Sequence, residues 1–391
     1  MKKILIVNKS FETGGIQSSM INMANTLSEY YQVDLFIFNP TGVLLERLDK
    51  EIKIIKPSWR IECLGMSLKQ AFSTKSVKRI AFKIFSILWS KIFDNRLPVN
   101  MAIKHQRKIG DYDLAISYHQ EQRKNASVSG FSRVVDKCVN ADKKIAWMHF
   151  DCNTVNLDSA FNNQFYEKMD KLVFVSKSLM QNFNQQYPTF KDKTDYCYNF
   201  MLYDVIKEKS LAEQQIEFPE NKFICFSACR LTAVKAIPRA INALKEVFKK
   251  YIDVVWYIAG DGGEREAINN LINAYGLQDQ IILIGNQNNP YPYIKNSDLL
   301  INVSFNEAAP VTFFESKAIG TPVFATETVS ARELLNQDVD SFICPNSEEG
   351  ICAGFERLLL NKHLVFNAKE VLKNYDFNND DSLEKIKEFV G

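Results

Sequence analysis

At 391 residues the chain exceeds what one hydrophobic core usually supports, so two domains are expected. Hydrophobic residues make up 46% and charged residues 24%, which excludes a disordered chain, and a net charge of +2 leaves no nucleic-acid footprint. Met1-Lys2-Lys3 precedes only the apolar run 4–7, too short for a signal peptide, and no stretch reaches the ~18 apolar residues of a membrane span. A cytoplasmic protein is therefore expected. The eight cysteines (63, 138, 152, 197, 225, 229, 344 and 352) include no CxxC pair and read as reduced thiols.

In chain order, KILIVN (3–8) leads to Gly14-Gly15, a helical stretch from Ile16 to about Tyr30, and the apolar run QVDLFIF (32–38). Strand, glycine turn, helix and strand open a parallel α/β unit. Further strand candidates are 113–118, 144–148 and 171–175. A second series starts at 222–228 and an amphipathic helix at 236–250, and continues with strands at 253–259, 280–285, 298–303 and 322–326. These runs are almost continuously apolar, as strands buried on both faces should be. The polar segment KEKSLAEQQ within 199–215 reads as a connector. The expectation is α/β: two doubly wound Rossmann-like domains facing a central cleft, residues 1–200 and 201–375. Residues 376–391 carry a last helix, about 381–390, that crosses back to the first domain.

Ligands of doubly wound sheets bind beyond the carboxyl ends of strands. Glu307 follows the strand 298–303, and Glu315 lies eight residues on, in a helix that begins near Pro310. That spacing brings two carboxylates near one face, although ordinary amphipathic helices also carry such pairs. Ala308, Ala309 and Pro310 are small or stiff, so the helix start, with Val311 and Thr312, can approach an anionic ligand. Arg230 and Lys235 follow the strand 222–228 and suit a diphosphate; in isolation they also read as solvated charges. Gly14-Gly15 allows close backbone approach at another helix N-terminus. Neither it nor Gly260-Asp261-Gly262-Gly263 is GxGxxG, which counts against a dinucleotide-dependent dehydrogenase. His149, in WMHFD, ends a strand, where a structural histidine is the ordinary alternative to a functional one; His119 follows DLAISY. Asp111-Tyr112-Asp113 reads as turn chemistry rather than a metal-binding DxD.

In their order and spacing, GGIQ, WMHFD, FVSKSL, YNF, ACRLTAVKA, YIAGDGGERE and SFNEAAPVTFFE resemble the retaining glycosyltransferases of family 4, which have the GT-B fold. The resemblance implies that Glu315 holds the ribose of a nucleotide-sugar, most simply a UDP-sugar, and Glu307 the sugar hydroxyls. Arg230 and Lys235 would neutralise the diphosphate, and His149 would lie near the anomeric carbon. Amides around Gly15 and from Ala309 to Thr312 would add hydrogen bonds. No metal and no other cofactor is implied. Ala308 and Ala236 stand where many members carry glycine, and the AAP version looks closer to bacterial surface-polysaccharide transferases. The implied activity is transfer of a hexose or N-acetylhexosamine to a lipid-linked saccharide, such as one on undecaprenyl diphosphate. Rival readings are a nucleotide-sugar epimerase of the same fold and a non-catalytic donor-binding subunit.

Residues 67–108 hold ten Lys or Arg against one acid, Asp94. Val77, Ile80, Ala81, Ile84, Phe85, Leu88, Trp89 and Ile92 recur there at helical spacing, with Lys75, Arg79 and Lys83 opposite. Such a helix suits an anionic membrane surface, which predicts peripheral association at the inner face of the cell membrane. Packing of its apolar face on the first domain is the alternative.

Overall fold

The computed structural model describes residues 1–151 and 159–391. The described chain divides into two units, Met1–Phe200 with Asn379–Gly391, and Met201–Asn378.

The first unit holds a seven-stranded parallel sheet: β1 (Lys3–Ser10), β2 (Gln32–Asn39), β3 (Lys53–Ile55), β4 (Ile109–Ser117), β5 (Val139–Met148), β6 (Lys171–Phe174) and β7 (Thr194–Tyr196). Their order is β3-β2-β1-β4-β5-β6-β7. Ile4 to Val7 and Leu35 to Phe38 are fully buried, which is why these runs lack polar alternation. After β1 the helix Gly15–Ser28 turns polar groups inward. Ser19 Oγ lies 2.7 Å from the Tyr118 hydroxyl and donates to Asn199 Oδ1 at 2.8 Å, while Asn22 Nδ2 donates to the Phe200 carbonyl. A loop is closed by buried Glu121, which accepts the Gly130 and Ser132 amides and pairs with Arg133 at 3.2 Å. The Asp380–Val390 helix belongs to this unit: Ile386 and Phe389 are buried and Ser382 Oγ donates to the Tyr198 carbonyl.

The second unit holds β8 (Phe223–Ala228), β9 (Val254–Ala259), β10 (Ile281–Gly285), β11 (Leu299–Asn302), β12 (Val323–Thr326) and β13 (Ser341–Cys344), all parallel, in the order β10-β9-β8-β11-β12-β13. One face is covered by the helices Ile237–Lys250 and Glu348–Leu360 through Ile241, Leu244, Phe248, Ile351 and Phe355. The other packs on Tyr291–Lys295 and Val311–Ile319 through Tyr293, Ile294 and Phe313. Strand order reverses between β8 and β11, so the crevice of a doubly wound sheet opens at their carboxyl ends.

One expectation needs correction and two are sharpened. Asp111-Tyr112-Asp113 is part of β4 rather than a turn: Tyr112 donates to Asp34 at 2.7 Å, and Asp113 accepts the Lys3 amide. Only the first four residues of the connector segment 207–215 are helical, as the end of the helix Tyr203–Ser210. Within 67–108, the helix Val77–Ile92 packs by its polar side. Phe82, Lys83, Ser86 and Ser90 are buried, whereas Val77, Ile84, Leu88 and Ile92 are exposed, Val77 at 81% and Ile92 at 71%. Lys83 Nζ donates to the Leu64 carbonyl, and burial pulls its pKa down to about 8. The seven described cysteines are free thiols; Cys152 lies outside the described residues.

Candidate functional site

At the end of β8 the chain runs flat against the next strand's loop. Cys229 N donates to the Ala259 carbonyl, Leu231 N to Asp261, and Gly260 N to Gly285. The contact leaves no room for side chains: a Cβ on Gly260, whose φ is 138°, would lie 1.8 Å from the Cys229 carbonyl oxygen. One on Gly262 would lie 2.2 Å from that of Leu231. The glycines that fail the dinucleotide pattern therefore shape the segment that presents exposed Arg230. A short turn, Ala233–Lys235, follows, and Ala236 adopts the left-handed conformation (φ 52°, ψ 27°) that favours glycine.

That turn aims Lys235 at the end of β11. Its Nζ lies 2.5 Å from Glu307 Oε1, which also accepts Ser304 Oγ at 2.7 Å and Asn302 Nδ2 at 3.4 Å. The two side chains are only 25% and 12% exposed. Pro310 then precedes the helix Val311–Ile319, whose N-cap accepts no amide through a side chain. The first-turn N–H groups of a helix have no intrahelical acceptor, so those of Val311 and Thr312 form an electropositive edge. A turn further on, Glu315 Oε1 accepts the Tyr291 hydroxyl at 3.0 Å. A small pocket lined by Ala228, Cys229, Lys235, Asn302, Ser304 and Thr312 lies at the reversal of strand order.

A larger depression lies at the opposite ends of the strands, beside Phe223, Asp253 and Asp298. Its charges are largely matched, Lys362 with Asp253 at 2.6 Å and Lys369 with Asp298 at 3.1 Å. Topology and chemistry, not size, mark the site.

In the first unit Gly14 is extended and Gly15 begins the helix after β1; a Cβ on Gly15 would meet nothing within 4 Å. His149 follows β5 and is buried. Its Nε2 donates to the Tyr118 carbonyl at 2.8 Å, its amide donates to Gln120 Oε1, and its ring packs on Tyr118. Burial, with the neighbouring His119, pulls its pKa down to about 3, so the ring is neutral, with the acceptor lone pair on Nδ1. Burial likewise lowers His119 to about 4. Among the described residues no group of three or more His, Cys, Asp or Glu is placed to hold a metal ion.

Of the residues singled out from the sequence, the fold brings Lys235 and Glu307 into contact; Asn302, Ser304 and Tyr291, which hydrogen-bond to Glu307 or Glu315, were not singled out. Asn302 and Ser304 are close enough along the chain to have been suspected. Tyr291, 24 residues from Glu315, carried no signal.

Residues 208–376 match the family described as glycosyl transferases group 1. An uncharacterized glycosyltransferase of Methanocaldococcus jannaschii is 24% identical over 57% of this chain and 58% of its own length. The Campylobacter jejuni N-acetylgalactosamine-N,N'-diacetylbacillosaminyl-diphospho-undecaprenol 4-alpha-N-acetylgalactosaminyltransferase is 26% identical over 54% of this chain and 58% of its own. The chain thus spans a little over half the length of these curated relatives. Among solved structures, Anabaena HepE, crystallised with UDP and glucose, aligns over 99% of both chains with a TM-score of 0.70 at 18% identity. The likeness shows a shared fold, α/β of the GT-B type, with two Rossmann-like sheets. Residues 208–376, the part of the chain that matches the glycosyl transferases group 1 family, carry Arg230, Lys235, Glu307 and Glu315.

Proposed function

We propose that the chain is a retaining glycosyltransferase of family 4 that moves a hexose or N-acetylhexosamine from a nucleotide-sugar, most simply a UDP-sugar, to a lipid-linked saccharide. The observation that carries this reading is the Lys235–Glu307 pair beside an amide-lined helix start, at the point where strand order reverses. Without donor the two charges neutralise each other. With donor, Lys235 turns with Arg230 to the diphosphate, Glu307 accepts hydroxyls of the sugar, and Glu315 accepts those of the ribose. Ala309, Val311 and Thr312 offer backbone amides, and Pro310 fixes where the Val311–Ile319 helix starts. His149, neutral and anchored to Tyr118, brings no charge to whatever it meets.

In the reaction the bond from the anomeric carbon to the diphosphate oxygen breaks while the acceptor hydroxyl bonds to the same face. The acceptor proton passes to the departing diphosphate, whose charge the two cations stabilise, so neither metal nor cofactor takes part. The undecaprenyl-diphosphate acceptor of the Campylobacter relative's name supports a lipid-linked acceptor here. So does the outward apolar stripe of the Val77–Ile92 helix, flanked by Lys75, Lys78 and Lys91, as a contact with the anionic inner leaflet. The corresponding place of work is the cytoplasmic face of the membrane.

Calorimetric titration with UDP and a panel of nucleotide-sugars tests the site. Binding that weakens at least tenfold in Glu315→Ala is expected; no binding by the unaltered chain would refute the reading. A changed donor released without acceptor would instead identify an epimerase, and binding without turnover a partner subunit.

A further inference from the structure

Arg239 is the third residue of the Ile237–Lys250 helix, where a cation opposes the helix dipole. Its guanidinium reaches away from the helix. One terminal nitrogen donates to the Val303 carbonyl at 2.8 Å and to Asn346 Oδ1 at 2.7 Å; the other donates to the Asn346 carbonyl at 3.3 Å. The group also stacks on Phe305 at 4.1 Å. Asn346, in the loop after β13, offers Nδ2 to the carbonyls of Phe305 at 3.0 Å, Glu327 at 3.2 Å and Ser304 at 3.5 Å. Three successive carbonyls, 303 to 305, are thus gathered by two side chains from elsewhere in the unit. Phe305 N donates to the Val234 carbonyl, which ties the same loop to the turn carrying Lys235. Glu307 lies two residues beyond this clamp and Ser304, one of its partners, lies inside it.

We infer that Arg239 and Asn346 are positioning residues: they hold the 303–307 loop so that Glu307 meets the donor sugar, and they act on sugar transfer rather than on nucleotide binding. The inference rests on the donor reading above. Glu315, assigned to the nucleotide, is oriented separately by Tyr291 and lies outside the clamp. Loosening the loop displaces one carboxylate and leaves the other in place, and misplacement by about 1 Å costs roughly 10²-fold in rate.

Asn346→Asp has the same shape but replaces the donating nitrogen by an acceptor that faces carbonyls. Arg239→Lys keeps the charge and loses the fork. Each is compared with the unaltered chain in three measurements: UDP affinity by calorimetry, turnover of the donor found in the nucleotide-sugar panel, and amide hydrogen exchange of residues 303–309. The expected result is UDP affinity within about threefold, turnover lowered about 10²-fold, and faster exchange confined to that loop. Unaltered turnover and exchange would overturn the inference; so would UDP affinity and turnover falling in parallel. If Asn346→Asp does not fold, Arg239→Lys decides. If no nucleotide-sugar is consumed by the unaltered chain, the activity proposal fails, and the exchange measurement still tests the clamp.

Discussion

Lys235 and Glu307 share one short contact, yet the proposal gives them opposite partners, phosphate and sugar. Removing either leaves the other half-buried charge unmatched and takes a group from the transition state. Lys235→Ala and Glu307→Ala should therefore each lower turnover by about 10²–10³-fold, measured as release of the nucleoside diphosphate. Buried histidines give a second expectation. Burial holds the pKa of His149 down to about 3 and that of His119 down to about 4, below the ordinary 6.5. Between those values the unfolded chain takes up protons that the folded chain refuses. Their contribution to stability is thus intact above pH 6.5 and declines as pH falls, by roughly 1.4 kcal/mol per pH unit for each histidine. Denaturant titrations between pH 7 and 4 should show this slope, and His149→Gln should flatten it. A slope unchanged by the substitution would contradict the neutral, anchored ring. The Lys235–Glu307 contact was legible because each residue follows an apolar strand run. Tyr291, Arg239 and Asn346 were not, because hydrogen bonds across 24 to 107 positions leave no local pattern.

At the scale of elements, the central strands were readable because burial on both faces makes them continuously apolar. The expected run 298–303 contains β11, and 32–38 nearly coincides with β2. Edge strands such as β3 (KII) and β7 (TDY) are three residues long and partly exposed, too short for any periodicity to register. The Gly260–Gly262 loop was read only as failing GxGxxG, and its close contact with Cys229 and Leu231 had no local sequence signal. Gly260→Ala places a methyl against a carbonyl oxygen and should destabilise the second unit by roughly 2–4 kcal/mol in denaturant titrations. A change below about 0.5 kcal/mol would contradict the packing described. The Val77–Ile92 helix bears on the alternative reading, in which its apolar face would pack on the first unit. Periodicity identifies an amphipathic helix but not which face a neighbour takes, and here Lys83, Ser86 and Ser90 are inside. Lys83 is a buried cation with one carbonyl acceptor, so Lys83→Met should raise stability by roughly 1–3 kcal/mol. Loss of stability would mean that the ammonium group is itself a needed tie.

For the whole molecule, the outward stripe of that helix predicts flotation with vesicles containing anionic lipid but not with neutral ones. Leu88→Asp with Ile92→Asp should abolish it, and equal recovery with both vesicles would count against docking. The two-unit α/β plan was foreseeable from length and from two successive strand–helix series. The most direct test of the central claim is turnover of a nucleotide-sugar panel with a polyprenyl-diphosphate-linked saccharide, followed by chromatography of the released nucleoside diphosphate. The account predicts acceptor-dependent release from at least one donor, retained anomeric configuration in the product, and near-complete loss in Lys235→Ala and Glu307→Ala. Release that is indifferent to both substitutions, or no consumption of any nucleotide-sugar, would contradict it.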